Sequence, residues 1–159
     1  MTISKSELGH RKVSDYMTRH VVTARPDDSV SEALQLMVQD KVSALPVVDG
    51  HDRCVGVLSS SDLLQLALKF GGELDTLSHS QGLDHQMLLE NLERTGFSSQ
   101  LVREVMTHLP VAVGLDTSLS RAAADMVRNR VHRLAVTDAK GRLLGLISTM
   151  DIVRAVAES

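Results

Sequence analysis

Residues 13–66 and 102–155 are one sequence written twice, at a constant offset of 89 and without a gap. Eighteen of the 54 aligned positions are identical, among them Val13/Val102, Met17/Met106, Thr18/Thr107, Asp49/Asp138, Gly56/Gly145, Ser59/Ser148 and Asp62/Asp151. An internal repeat restricts the fold more than any local propensity, because each copy must adopt the same supersecondary unit. One unit of about 55 residues is a marginal fold by itself. Two copies can share burial by packing about a pseudo-twofold axis, and each structural feature then occurs twice. Clefts between the copies are expected as a pair, and function is sought there.

Composition narrows the class. The chain has 159 residues, 43% of them hydrophobic but only 2% aromatic, so Val, Leu, Ile, Ala and Met must build the core. No apolar run approaches the roughly 20 residues that span a bilayer, and no membrane association is expected. The opening Met1-Thr2-Ile3-Ser4-Lys5-Ser6 lacks the apolar stretch of a secretory signal. A single cysteine, Cys54, excludes an internal disulfide framework and suits a reducing compartment, so a cytoplasmic location is expected. The net charge of −3 hides an asymmetry: residues 13–66 hold four basic and eight acidic side chains, residues 102–155 eight basic and five acidic. The basic half could attract a phosphorylated ligand; alternatively Arg128 and Arg130 are simply solvated on a helix. No basic stripe interleaved with aromatics occurs, which argues against nucleic acid.

Each copy reads as β-α-β-β-α, an α/β (α+β) unit with a three-stranded sheet. In the first, Val21–Ala24 is a β-prone run ending at Pro26, and Ser29-Val30-Ser31-Glu32 is a capping-box signature. Val30, Ala33, Leu34, Met37 and Val38 then fall at helical spacing. Ala44–Val48 reads as a buried strand, and Asp49–Asp52 turns the chain into Cys54–Leu58. A second helix is expected from about Ser60 to Phe70, stopped by Gly71-Gly72. The second copy repeats this order with Val111–Val113, a helix from Ser118 to about Arg130, a hairpin across Asp138–Gly141, and a closing helix through Ile152–Ala157. Leu119, Ala122, Ala123 and Met126 are expected to face inward. Between the copies, Asp84 could cap a helix running to Gly96, and Glu73–Gly82 reads as a loop. His79 and His85 are six apart, which matches no metal-ligand spacing on a helix.

The chemistry concentrates in Gly56-Val57-Leu58-Ser59-Ser60-Ser61-Asp62 and its copy Gly145-Leu146-Ile147-Ser148-Thr149-Met150-Asp151. Ser-x-x-Asp at a helix start is a capping signature, with the carboxylate favoured by the helix dipole. The same geometry can bind a ligand. Helix-start N–H groups and a hydroxyl suit a phosphate, a carboxylate suits the two hydroxyls of a ribose, and glycine permits close approach. Either reading fits one copy.

The whole pattern resembles a tandem pair of cystathionine-β-synthase-type (CBS) domains, a Bateman module. The matching pieces are Val13–Thr18, Val42–Asp49 and Gly56–Asp62 in the first copy, with Val102–Thr107, Val131–Asp138 and Gly145–Asp151 in the second. The resemblance implies a CBS domain over 13–70 and another over 102–159, a flexible segment over 1–12 and a helical insert over 71–101. It implies clefts for adenosyl compounds such as AMP, ADP, ATP or S-adenosylmethionine, with no cofactor required. The aspartate would hold ribose, the hydroxyl would approach phosphate, and the base would lie against the first and second strands. Carried over by position, one cleft would combine Val22, Val42, Ser43 and Ala44 with Ser148 and Asp151. The other would combine Val111, Val131, His132 and Arg133 with Ser59 and Asp62. His132 and Arg133 stand where gamma subunits of AMP-activated protein kinase present basic groups to phosphates, so the two clefts are expected to differ in phosphate affinity.

This sequence departs from the family pattern where serine replaces the common threonine before each aspartate, and where Ala135 stands in place of a proline, expected to loosen the second hairpin. Cys54 reads as an inert core thiol. No Gly-x-Ser-x-Gly elbow, P-loop or zinc-ligand cluster occurs, and no enzyme is expected. A non-catalytic module would signal to a separate regulated protein or through a homodimer, for which the resemblance and the apolar Leu63, Leu64, Ala67, Ile152, Val153 and Val156 speak. The alternative is a structural dimerisation or docking module whose clefts stay unoccupied.

Overall fold

A computed structural model of the chain describes residues 5–69, 99–108 and 111–159. Among these the elements run α1 (Lys5–His10), α2 (Val13–Tyr16), α3 (Val30–Asp40), β1 (Ala44–Val48), β2 (Cys54–Ser59), α4 (Ser60–Lys69), α5 (Val102–Val105), β3 (Ala112–Val113), α6 (Leu119–Asn129), β4 (Arg133–Thr137), β5 (Leu143–Ser148) and α7 (Thr149–Ala157). The glycine stop after α4, the helix expected behind Asp84, and His79 and His85 lie outside the described residues. The chain divides into two units. One, here the Asp62 unit, holds Val22–Val48 and Val55–His108; the other, the Asp151 unit, holds Met1–Val21, Asp49–Cys54 and Leu109–Ser159.

In the Asp62 unit the Ser29 hydroxyl caps α3, accepting the Glu32 N–H at 3.1 Å. Val30, Ala33, Leu34 and Met37 are buried along one face, with Val38 half-buried. They meet Leu45 and Val47 of β1, Leu58 of β2 and Leu63 of α4 in one core. Val102 of α5 completes that core and is fully buried. The segment carrying it is pinned by backbone bonds: Val102 N–H to Asp28 O at 2.8 Å, and Val30 N–H to Gln100 O at 2.8 Å.

The strand expected over Val21–Ala24 is reduced to one parallel bridge, Ala24 to Val47. The cause is Pro46. Ala24 donates to Pro46 O and accepts from Val48 N–H, both at 2.9 Å. Extending a parallel ladder by one step needs an N–H at position 46, which proline lacks. The matching residue in the second copy is Ala135, and there the pairing does extend, Ala112 with Ala135 and Val113 with Val136. Alanine at 135 supplies the donor that makes β3-β4-β5 three-stranded.

In the Asp151 unit β4 pairs antiparallel with β5 across the Asp138–Gly141 turn. Ser118 caps α6, accepting the Arg121 N–H at 3.2 Å. Leu119, Ala122 and Met126 are buried, Ala123 only half-buried. They pack with Leu134, Val136, Ile147 and Ala155, and with Val13 and Met17 from the start of the first copy. That segment docks as α5 does in the other unit: Val13 N–H reaches Thr117 O at 2.8 Å and Leu119 N–H reaches Arg11 O at 2.9 Å. Tyr16 is clasped there. Its hydroxyl donates to Glu158 at 3.0 Å and accepts from Arg11 at 3.1 Å, while Arg154 donates to its carbonyl at 2.9 Å. Cys54, expected in the core, is half-buried at the first position of β2.

Candidate functional site

Each copy brings a buried strand to a serine and starts a helix on it. In the Asp62 unit, Asp62 Oδ2 accepts the Ser59 N–H at 2.9 Å and the Ser59 hydroxyl at 3.0 Å, and the Asp62 N–H returns a bond to Ser59 Oγ at 3.2 Å. In the Asp151 unit the corresponding distances from Ser148 are 2.8, 3.0 and 3.2 Å. The capping reading is thus realised twice. It occupies a single oxygen of each carboxylate, so it leaves the second oxygen, Oδ1, to define what the site offers.

The glycines serve a different purpose from the one expected. A Cβ on Gly145 would stand 2.5 Å from the Thr18 carbonyl oxygen and 3.2 Å from Met17 Sδ; one on Gly56 would stand 2.8 Å from the Thr107 carbonyl oxygen and 2.9 Å from Met106 Sδ. The close approach they permit is that of the Met-Thr segment. Thr18 and Leu146 exchange backbone bonds of 2.8 and 3.0 Å, and Thr107 and Val57 exchange two of 2.9 Å. Each Met-Thr pair therefore lies along the strand that leads to the serine.

The environments of the two Oδ1 atoms differ. Asp62 Oδ1 accepts the Thr107 hydroxyl at 2.8 Å. Asp151 Oδ1 has no hydrogen bond among the described residues; its neighbour is Arg154 Nη2 at 3.5 Å. Position 65, the counterpart of Arg154, is Gln65. Asp151 therefore faces a cation and Asp62 a neutral hydroxyl.

Of the other residues singled out, His132 and Arg133 lie beside Ser148 in the same unit: Thr149 N–H donates to His132 O at 3.0 Å, and Arg133 is the register partner of Ser148. His132 is exposed and Arg133 half-buried. Ser43 lies likewise beside Ser59, accepting the Ser60 N–H on its carbonyl at 2.9 Å. Val42 is exposed, Ala44 is buried in β1, and Val22 and Val131 are half-buried against the cores of their units. Val111 is half-buried before β3. Arg128 leans on the buried Asp125 at 3.9 Å and Arg130 ends α6 with φ 54°. The residues that sequence reasoning missed are Thr107 and Arg154. The Thr18/Thr107 identity was visible in the repeat, but nothing local ties position 107 to position 62. Among the described residues no three His, Cys, Asp or Glu side chains gather as a metal site, and no helix is long and apolar enough to cross a membrane.

The family model described as CBS domain matches residues 13–69 and again 102–158. The chain is 32% identical over 155 residues to the CBS domain-containing protein CBSX2, chloroplastic, of Arabidopsis thaliana, covering 94% of this chain and 65% of that protein. It is 32% identical over 176 residues to CBSX1 of the same plant, covering 99% of this chain and 70% of the relative. A crystal structure of CBSX2 in complex with AMP superposes with a TM-score of 0.69 at 32% identity, over 92% of this chain and 96% of that one.

Proposed function

The chain belongs to the CBS domain family, and from that membership we propose that it is a non-catalytic regulatory module that binds adenosyl ligands and passes the binding state to another protein. The observation that carries this reading is the repeated Ser-Asp pair. The cap uses one oxygen of each aspartate, and at Asp151 the other oxygen stands ready to accept from a sugar hydroxyl. CBSX2, at 32% identity, has been crystallised with AMP.

In this reading Asp151 and Asp62 grip ribose, and Ser148 and Ser59 approach phosphate. His132 and Arg133 add positive charge for phosphate, and Val22, Val42, Ser43, Ala44, Val111 and Val131 line the ligand's surroundings. Output follows only if the ligand prefers one arrangement of the protein over another. The exposed Leu64 and Leu68 on α4, and Met150 and Val153 on α7, at 42%, 66%, 69% and 56% exposure, support a homodimer as the means of transmission. Of the apolar residues assigned to that surface from sequence, Leu63 is instead buried in its own core.

Calorimetric titration with AMP, ATP and S-adenosylmethionine tests the proposal, with binding of at least one ligand expected. Asp151→Ala should weaken that binding by about 1–3 kcal/mol, the usual loss for a charged hydrogen bond. Silence from all three ligands at millimolar concentration would favour the second reading, a docking or dimerisation module, which the exposed apolar side chains of α4 and α7 also suit.

A further inference from the structure

The two carboxylates are alike in Oδ2 and unlike in Oδ1, and the difference has a consequence for ligands. A vicinal diol approaching Asp151 finds an oxygen with no hydrogen-bond donor at bonding distance among the described residues; Arg154 stands off at 3.5 Å, held by its bond to the Tyr16 carbonyl. The same diol approaching Asp62 finds Oδ1 already accepting the Thr107 hydroxyl at 2.8 Å. Binding at Asp151 therefore adds a hydrogen bond, whereas binding at Asp62 exchanges one for another. An exchanged bond contributes little net free energy. The threonines themselves are identical in sequence and in backbone pairing, Thr18 on Leu146 and Thr107 on Val57, and both are exposed. What differs beside them is Arg154 against Gln65.

We propose that Thr107 is a specificity-determining residue that ranks the two half-sites: a ribose-bearing ligand fills the Asp151 half-site first, and the Asp62 half-site is held weaker by the Thr107 hydroxyl on its carboxylate. This ranking rests on the reading of the protein as an adenosyl-binding module. One net hydrogen bond corresponds to about tenfold in affinity.

AMP titrated calorimetrically into the full chain should give one tight site and a second about tenfold weaker. Thr107→Val, which keeps the shape and removes the hydroxyl, should tighten the weaker site toward the stronger. Thr107→Ser, which keeps the hydroxyl, should preserve the ranking and controls for disturbance of the fold. Thr18→Val should change neither site, and Asp151→Asn should weaken the tighter one. Two sites of equal affinity in the unaltered protein would overturn the ranking and leave the adenosyl reading standing, as would an unchanged ratio in Thr107→Val. So would loss of the tighter site in Asp62→Asn with Asp151 intact. Absence of any heat with AMP, ATP or S-adenosylmethionine would overturn the adenosyl reading itself.

Discussion

Gly145 is a residue whose side chain is forbidden by a neighbour's backbone. Its missing Cβ leaves room for the Thr18 carbonyl, which a methyl group would meet at 2.5 Å. A backbone oxygen held in a two-bond bridge cannot swing away as a flexible side chain can. Gly145→Ala should therefore destabilise the protein by about 1–3 kcal/mol, in the range of overpacking substitutions. Gly56→Ala, meeting the Thr107 carbonyl at 2.8 Å, should act in the same direction. Urea denaturation followed by circular dichroism checks both, and stability equal to the parent's in either variant contradicts the argument. At this scale the sequence is legible for residue identity and less so for purpose. The Ser-Asp pairs announce a helix cap, and the structure forms it twice. The glycines announce a close approach without saying of what, because the approaching segment lies more than a hundred residues away from Gly145 and about fifty from Gly56.

The turns of the two hairpins keep one pattern of aspartate bonds although the residues between Asp and Arg differ. Asp49 Oδ1 accepts the His51 and Arg53 N–H groups at 2.8 and 3.0 Å, and Oδ2 accepts Arg53 Nε at 3.1 Å. Asp138 does the same with Lys140 and Arg142 at 2.9, 3.0 and 2.7 Å. Burial pushes the Asp49 carboxyl upward, but the bonds from His51 and Arg53 outweigh it and hold it below the ordinary value of 3.8. At Asp138 the Arg142 N–H leads, against burial, with the same result. A depressed carboxyl adds stability that is present above the unfolded pKa and disappears as pH falls through the folded one. The protein should therefore lose urea resistance as pH drops below about 3.8, and an Asp49→Asn, Asp138→Asn double variant should lose less over that window. An identical acid profile for parent and variant would remove these turns from the account. The helix ends offer a test of opposite sign. Lys41 and Arg130 both close their helices at φ 54°, a conformation that costs a side chain about 1–2 kcal/mol and glycine almost none. Lys41→Gly and Arg130→Gly should each raise stability, by about 0.5–1 kcal/mol after the greater entropy of the unfolded glycine is counted, and thermal unfolding reads the change. Helical spacing and serine caps made α3 and α6 readable in sequence, since both signals are local. The first strands were not. Their extent depends on whether the neighbouring strand carries Pro46 or Ala135, a property of the partner rather than of the run itself.

Across the whole chain, the segments that open the two copies have changed places. Val13 and Met17, from the start of the first copy, lie in the core built by the second, and Val102, from the start of the second, lies in the core built by the first. The exchange is invisible to any windowed reading, because Val13 meets Thr117 across more than a hundred residues while the local pattern of each copy looks self-sufficient. Its energetic weight is considerable for a unit this small. Burying a valine or methionine is worth about 1.5–3 kcal/mol each, and a domain of such size has only a few kcal/mol in hand. Residues 102–159 alone would lack Val13, Met17, the Thr18 pairing with Leu146 and the Tyr16 clasp on Glu158 and Arg154. That fragment should show no cooperative thermal transition. A peptide of residues 5–20 added in trans should restore one, and its Tyr16, the lone tyrosine in a chain without tryptophan, reports docking by fluorescence. A fragment that unfolds cooperatively at the temperature of the intact chain, with or without the peptide, would mean that the opening segment is a passenger rather than part of the core.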